Sequence, residues 1–293
     1  MRVFVTGATG FIGSAVVPNL LAAGHEVVGL ARNVASAAAL AAIGVAAHRG
    51  DLNDPEDLAA VARASDGVIH LAFIHDFANF AVSVATDLRV VQALAAALEG
   101  TGKPLVTASG TLMVSHARPA TELVGPLSAD MPRAASEMAV VEAKGVRGVV
   151  VRLPPPVHDL TRAGLLSGIA QTARERGFAA YLGDGAHVWP SVHRLDAARL
   201  FHLALEKGAA GTRLHAVAEE GVPMRDIMTV IGARLGVPVR GIGDAEAADY
   251  FGPLGMFAGR DNLSSSALTR EATGWVPREV GLLDDLRAAT FLD

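Results

Sequence analysis

The chain has 293 residues, a formal net charge of −5, 51% hydrophobic residues and 19% charged residues. That balance excludes a disordered chain, and no basic block marks a nucleic-acid footprint. The chain has no cysteine, so disulfides, thiolate metal sites and cysteine nucleophiles are excluded.

The chain opens on a buried strand over 2–6 rather than on a charged, apolar, small-residue leader, so no targeting segment is read. The longest apolar stretch, 37–47, is shorter than the roughly 20 residues a bilayer span needs. A cytoplasmic protein with no membrane partner is expected. Helices over 11–23, 34–42, 55–64, 77–98 and 132–144 alternate with strands over 2–6, 26–30, 45–48, 67–71, 104–108 and 147–152. Gly24 stops the first helix, and Asp54-Pro55-Glu56 starts the third with a cap, a first-turn proline and an acid. The strands are almost wholly apolar, which predicts an α/β fold: a doubly wound parallel sheet covered by helices on both faces. Beyond Pro154-Pro155-Pro156 the pattern loosens. Helices over 164–177, 196–207, 224–236 and 264–272 flank short strands at 188–192, 212–216 and 237–242. The nominal division is a dinucleotide-binding domain over 1–157 and a mainly substrate-binding α/β part over 158–293, interleaved with it.

Thr6-Gly7-Ala8-Thr9-Gly10-Phe11-Ile12-Gly13 stands between the first strand and the first helix. Glycines at these positions allow a tight turn and close approach of the backbone to a pyrophosphate, with the helix N-terminus supplying N–H groups. The second strand runs into Arg32, with no carboxylate nearby for a ribose 2′-hydroxyl. An arginine there suits a 2′-phosphate, which favours NADP(H) over NAD(H). Asn33 is either a second phosphate contact or a helix cap. Asp51 and Leu52 suit an adenine edge, and Asp51 suits a turn equally well. Leu71, Ala72 and Phe73 end the fourth strand, where the backbone runs beside a cofactor.

With these motifs the chain resembles the extended short-chain dehydrogenase/reductases, the NAD-dependent epimerase/dehydratase family. The resemblance rests on the segment from Thr6 to Gly13, on Gly50-Asp51-Leu52 and on His70-Leu71-Ala72. It continues through Arg152-Leu153-Pro154-Pro155-Pro156, Val192-His193-Arg194-Leu195-Asp196 and Thr273-Gly274-Trp275-Val276-Pro277. It implies a Rossmann domain with a small C-terminal substrate domain, and cofactor contacts at Pro154, Pro155 and Val157. Chemistry in that family uses a tyrosine and a lysine four residues later. The only tyrosines here are Tyr181 and Tyr250, and neither has that lysine. By position Arg133 replaces the tyrosine and Glu137 the lysine, as in an atypical subgroup of the family. Arginine cannot act as the proton donor. At i and i+4, Arg133 and Glu137 are expected to pair across one helical turn, either as a structural ion pair or as a substrate-oxygen holder oriented by the glutamate.

The family also places a catalytic hydroxyl after the fifth strand, where Ser109 and Thr111 stand. Either fills that role or caps the loop. His75-Asp76 and His158-Asp159 lie at the sheet's ligand-binding edge, as proton donors or as a hydrogen-bonded histidine with a cap. Trp189 and His193 are substrate-pocket candidates, Trp189 being equally a core residue, and Asp196 reads as the cap of the following helix. No metal is expected, because the ten histidines show no metal-site spacing. The expected activity is NADP(H)-dependent hydride transfer to or from a small carbonyl or alcohol, with a non-standard proton donor. The alternative is a non-redox isomerase or lyase, or a dinucleotide sensor, on the same fold. The resemblance also implies a homodimer through the helices over 77–98 and 132–144.

Overall fold

The computed structural model describes residues 1–76, 79–114, 118–126, 128, 131 and 133–293. Expected helix residues Phe77, Ala78 and Pro132 lie outside them. The first half alternates β1 (Arg2–Thr6), α1 (Gly13–Ala22), β2 (Glu26–Ala31), α2 (Val34–Ala42), β3 (Ala46–Arg49), α3 (Pro55–Arg63), β4 (Gly67–His70), α4 (Phe80–Leu98), β5 (Pro104–Gly110), α5 (Ala134–Val141) and β6 (Arg147–Leu153). Then follow β7 (Val157–Asp159), β8 (Arg162–Ala163), α6 (Leu165–Arg176), β9 (Ala179–Leu182), β10 (Val188–His193), α7 (Arg194–Lys207) and β11 (Thr212–His215). The chain closes with β12 (Glu219–Pro223), α8 (Met224–Leu235), β13 (Val239–Ile242), α9 (Asp244–Phe251), α10 (Gly255–Ala258), α11 (Ala267–Thr273) and α12 (Leu282–Ala288).

Seven parallel strands form the main sheet in the order β11-β6-β5-β4-β1-β2-β3. Residues alternate between its faces. Val3 and Val5 join Val16, Leu20 and Phe201 in one core, while Phe4 joins Leu58, Leu94 and Leu98 in the other. Helices α1 and α7 cover the first face, and α3, α4 and α5 the second. Both faces of the central strands are therefore dry, which is why these strands read as apolar runs, while the edge strand β3 is largely exposed. The winding reverses between β1 and β4, the place where open α/β sheets bind ligands.

Residues 212–216, read from the sequence into the smaller part, supply the edge strand β11 of the main sheet instead. The remaining late elements build a second core around Trp189, Ile227, Ile231 and Phe251, with a four-stranded sheet β12-β10-β7-β8 beside it. Helix α4 is long and apolar enough to cross a membrane by composition, with mean hydropathy 1.4. Val90, Val91, Leu94 and Leu98 are buried against the sheet, so it serves here as a core helix.

Candidate active site

The glycine turn lies at the reversal point. Gly7 has φ +68°, and a Cβ there would stand 2.8 Å from the Ala72 nitrogen. A Cβ on Gly13 would stand 2.0 Å from the Gly7 carbonyl oxygen, so only glycine lets α1 start this close to the turn. Gly10 N–H closes the turn onto Gly7 C=O at 2.9 Å. The N–H groups of Phe11, Ile12 and Gly13 meet no acceptor among the described residues. They sit at the positive end of α1, beside exposed Thr9 and Gly10. This cradle fits the pyrophosphate of a dinucleotide.

Thr6 ties the turn to the neighbouring strand. Its Oγ1 accepts the N–H groups of Leu71 and Ala72, each at 3.2 Å, and lies 2.8 Å from His70 Nδ1. With both acceptor positions used, the hydroxyl donates to Nδ1, which fixes the His70 proton on Nε2, facing Asp87 Oδ1 at 3.5 Å. Arg32, just past β2, is exposed and makes no ion pair among the described residues. Asn33 is taken up in a capping box with Ser36. Asp51 accepts from the Asn53 backbone and side chain, as a turn acid does, with Leu52 half-buried beside it. Leu71, Ala72 and Phe73 are half-buried along the crossing, and Pro154, Pro155 and Val157 are buried beyond β6.

Arg133 and Glu137 do not pair. Arg133 precedes α5 and has φ +65°, a left-handed conformation costing about 1–3 kcal/mol for a non-glycine residue. The spacing that joins i and i+4 requires both residues to be helical, and here only Glu137 is. The Arg133 side chain turns to α4, where Nε and Nη2 each donate to the Asp87 carboxylate at 3.2 Å. Nη2 also donates to the Ala108 carbonyl at 2.7 Å, and the guanidinium stacks 4.6 Å from the Phe73 ring centroid. Nη1 donates to no group among the described residues. Burial alone would raise the Asp87 carboxyl, but Arg133, with His70 behind it, holds it well below the usual carboxylate range.

Glu137 is fully buried and accepts from two arginines. Arg152, also fully buried, donates from Nε at 3.1 Å and from Nη2, and Arg213 donates from Nε at 2.7 Å. Ser109 adds its hydroxyl at 3.1 Å. Burial pushes this carboxyl up, and the arginines outweigh it and hold it below its ordinary value. Arg152 Nη1 also donates to the Val124 carbonyl and to His215 Nε2 at 3.2 Å. His215 Nδ1 donates to the Ser265 carbonyl, so the ring is neutral; burial, with Arg152 beside it, pushes its pKa down to about 4.

The other sequence candidates separate. Thr111 is fully buried and donates to Asn262 Oδ1 at 2.6 Å, which makes it a structural residue rather than a catalytic one. Trp189 is fully buried and donates to the Arg260 carbonyl, so it packs the second core. His193 caps α7 by accepting the Leu195 N–H, a role expected of Asp196. Asp196 lies inside the first turn of α7, where its carboxylate accepts from the Arg278 and Glu279 backbone. His158 is buried and bonded to Asp285 at 2.6 Å. His75 stands 5.2 Å from the Phe73 ring; partial burial, then the charges of Arg133 and Arg162, lower its pKa. Sequence reasoning missed Asp87, His70, Arg152 and Arg213.

Residues 3–217 match the model of the NAD dependent epimerase/dehydratase family. An uncharacterized protein of Schizosaccharomyces pombe is 43% identical over 294 residues, covering 99% of this chain and 100% of the relative. A 2-alkyl-3-oxoalkanoate reductase of Stenotrophomonas maltophilia is 29% identical over 81% of this chain and 77% of its own length. In fold the chain is similar to a dTDP-glucose 4,6-dehydratase of Streptomyces venezuelae, solved with NAD bound. The TM-score is 0.75 at 23% identity, covering 100% of this chain and 96% of the other.

Proposed function

Because the chain belongs to the NAD dependent epimerase/dehydratase family, we propose that it is an NADP(H)-dependent reductase of a small carbonyl compound, with an arginine where the family uses a tyrosine. The observation that carries this is Arg133. Its guanidinium is clamped by Asp87 and the Ala108 carbonyl and stacked on Phe73, and Nη1 has no partner among the described residues. A strained residue held in place by its surroundings is a common mark of a working site.

The dinucleotide would rest on the N–H groups of Phe11, Ile12 and Gly13, with Arg32 on the 2′-phosphate, and would supply hydride to the carbonyl carbon. Nη1 of Arg133 donates to the carbonyl oxygen and stabilises the charge that develops on it. Asp87 stays ionised and fixes the guanidinium plane. The proton that completes the alcohol comes from water, since arginine does not release one and the Ser109 hydroxyl is committed to Glu137. The similarity to a reductase whose named substrate carries a ketone supports a carbonyl substrate.

A second reading rests on Glu137. Its carboxylate is saturated by two arginines and a serine, so the family's lysine has no functional replacement. That favours a non-redox enzyme or a dinucleotide sensor. Fluorescence titration with NADPH and NADH, followed by an NADPH-oxidation screen over ketones, aldehydes and 3-oxo acids, separates the two. Preferential NADPH binding with substrate-dependent oxidation is expected. Tight binding with no oxidation across the panel would leave the second reading standing, and no binding would remove both.

A further inference from the structure

We propose that His25, His202 and Glu206 form a binding site for a zinc-type dication, separate from the cofactor cradle. Helix α7 starts beside the glycine turn, where Arg194 donates to the Phe11 carbonyl. His202 lies eight residues further on, about 12 Å along the helix axis. Glu206 is one turn beyond, on the same face. His25 arrives from the turn after α1, and its side chain is 8% exposed.

Nε2 of His25 and Nε2 of His202 each stand 3.2 Å from the same oxygen, Glu206 Oε1. All three ligand atoms lie within 4.8 Å of one another. The imidazole rings are nearly perpendicular, with centroids 5.6 Å apart. Charge-assisted N–H···O bonds run at about 2.7–2.9 Å, so these contacts are long for simple ion pairs. His202 Nε2 is buried and, despite its approach to Glu206, makes no hydrogen bond. His25 Nε2 does hydrogen-bond to that oxygen, whereas His202 Nε2 stands at the same distance without the alignment for a bond, so a polar atom at the cluster is left for an ion. Four ligands at about 2.0 Å around zinc stand about 3.3 Å apart, which the two 3.2 Å edges reproduce. Two histidines and a glutamate suit zinc and leave a fourth position for water. A competing contact, from the Met1 amino group to His25 Nδ1 at 3.4 Å, is long and exposed. The sequence concealed the site because its ligands come from two distant segments.

The test uses untagged, chelator-treated full chain titrated with Co²⁺ and followed by visible absorption, then displaced with Zn²⁺. About one equivalent with a tetrahedral spectrum is expected. H202Q and E206Q lower metal affinity by more than about 100-fold, while NADPH binding in the same variants, which also reports folding, is unchanged. Glu206 lies partly at the surface, so E206Q carries the test if H202Q does not fold. No tetrahedral spectrum, or equal metal affinity in wild type and E206Q, overturns the proposal and leaves a hydrogen-bonded His–Glu–His cluster.

Discussion

Replacing Glu137 by glutamine removes one buried negative charge from between two guanidiniums. Glu137 and Arg152 have fully buried side chains, and that of Arg213 is 15% exposed. Breaking one partner of such a buried pair costs about 3–5 kcal/mol. Against a total stability of about 5–15 kcal/mol this is a large share, and it lowers the melting temperature by about 6–15 °C. Urea unfolding and thermal melts at pH 7.5 read the loss. E142Q, at an exposed site on the end of the same helix, is the control and stays within about 0.5 kcal/mol of wild type. The folded Glu137 pKa lies below its ordinary value of 4.5. Its contribution is therefore fully present above pH 4.5 and is lost as pH falls from there toward the folded value. The wild type and E137Q curves accordingly converge on acidification below pH 4.5. An E137Q protein within about 1 kcal/mol of wild type, but with turnover abolished, would refute this structural assignment and return Glu137 to the chemistry.

R133M lowers kcat by about 10²–10³, as loss of an oxyanion donor does, and leaves NADPH affinity unchanged; R133K recovers part of the rate. An unchanged kcat would remove Arg133 from the mechanism. R32D weakens NADPH binding by about 10–100-fold and spares NADH, the size of a lost charge-assisted contact; equal losses for both would exclude a 2′-phosphate contact. kcat/KM for the ketone is flat from about pH 7 to 9, because arginine stays charged, Asp87 titrates far below this window and His75 has its pKa lowered. A titrating limb inside that window would show that another group moves the proton.

The first half of the fold was legible because each link in it is local. An apolar run, a glycine turn and an amphipathic helix declare themselves within about ten residues, and the Gly7, Gly10 and Gly13 turn needs no distant partner to be recognised. β11 was misplaced because a four-residue strand carries no record of which sheet it joins. The two roles read for Thr111 and for Trp189 could not be separated from the sequence, because their partners, Asn262 and Arg260, lie 151 and 71 residues away.

The ion pairs of the site were half legible. Arg152 follows Val149, Val150 and Val151 in one buried strand, and His70 follows Val68 and Ile69 in another. A charge or imidazole embedded in such a run is costly to bury alone, so each must have a buried partner. The sequence therefore says that partners exist. It does not name them, because Glu137 meets Arg152 only once α5 has docked beside β5 and β6, and β11 then adds Arg213. The i,i+4 rule pointed instead to Arg133, and it failed at one backbone angle. A left-handed residue ahead of the helix turns that guanidinium away from Glu137 and onto Asp87. That same turn leaves Nη1 free of partners among the described residues, so the misread pair and the proposed oxygen-binding group have one physical origin.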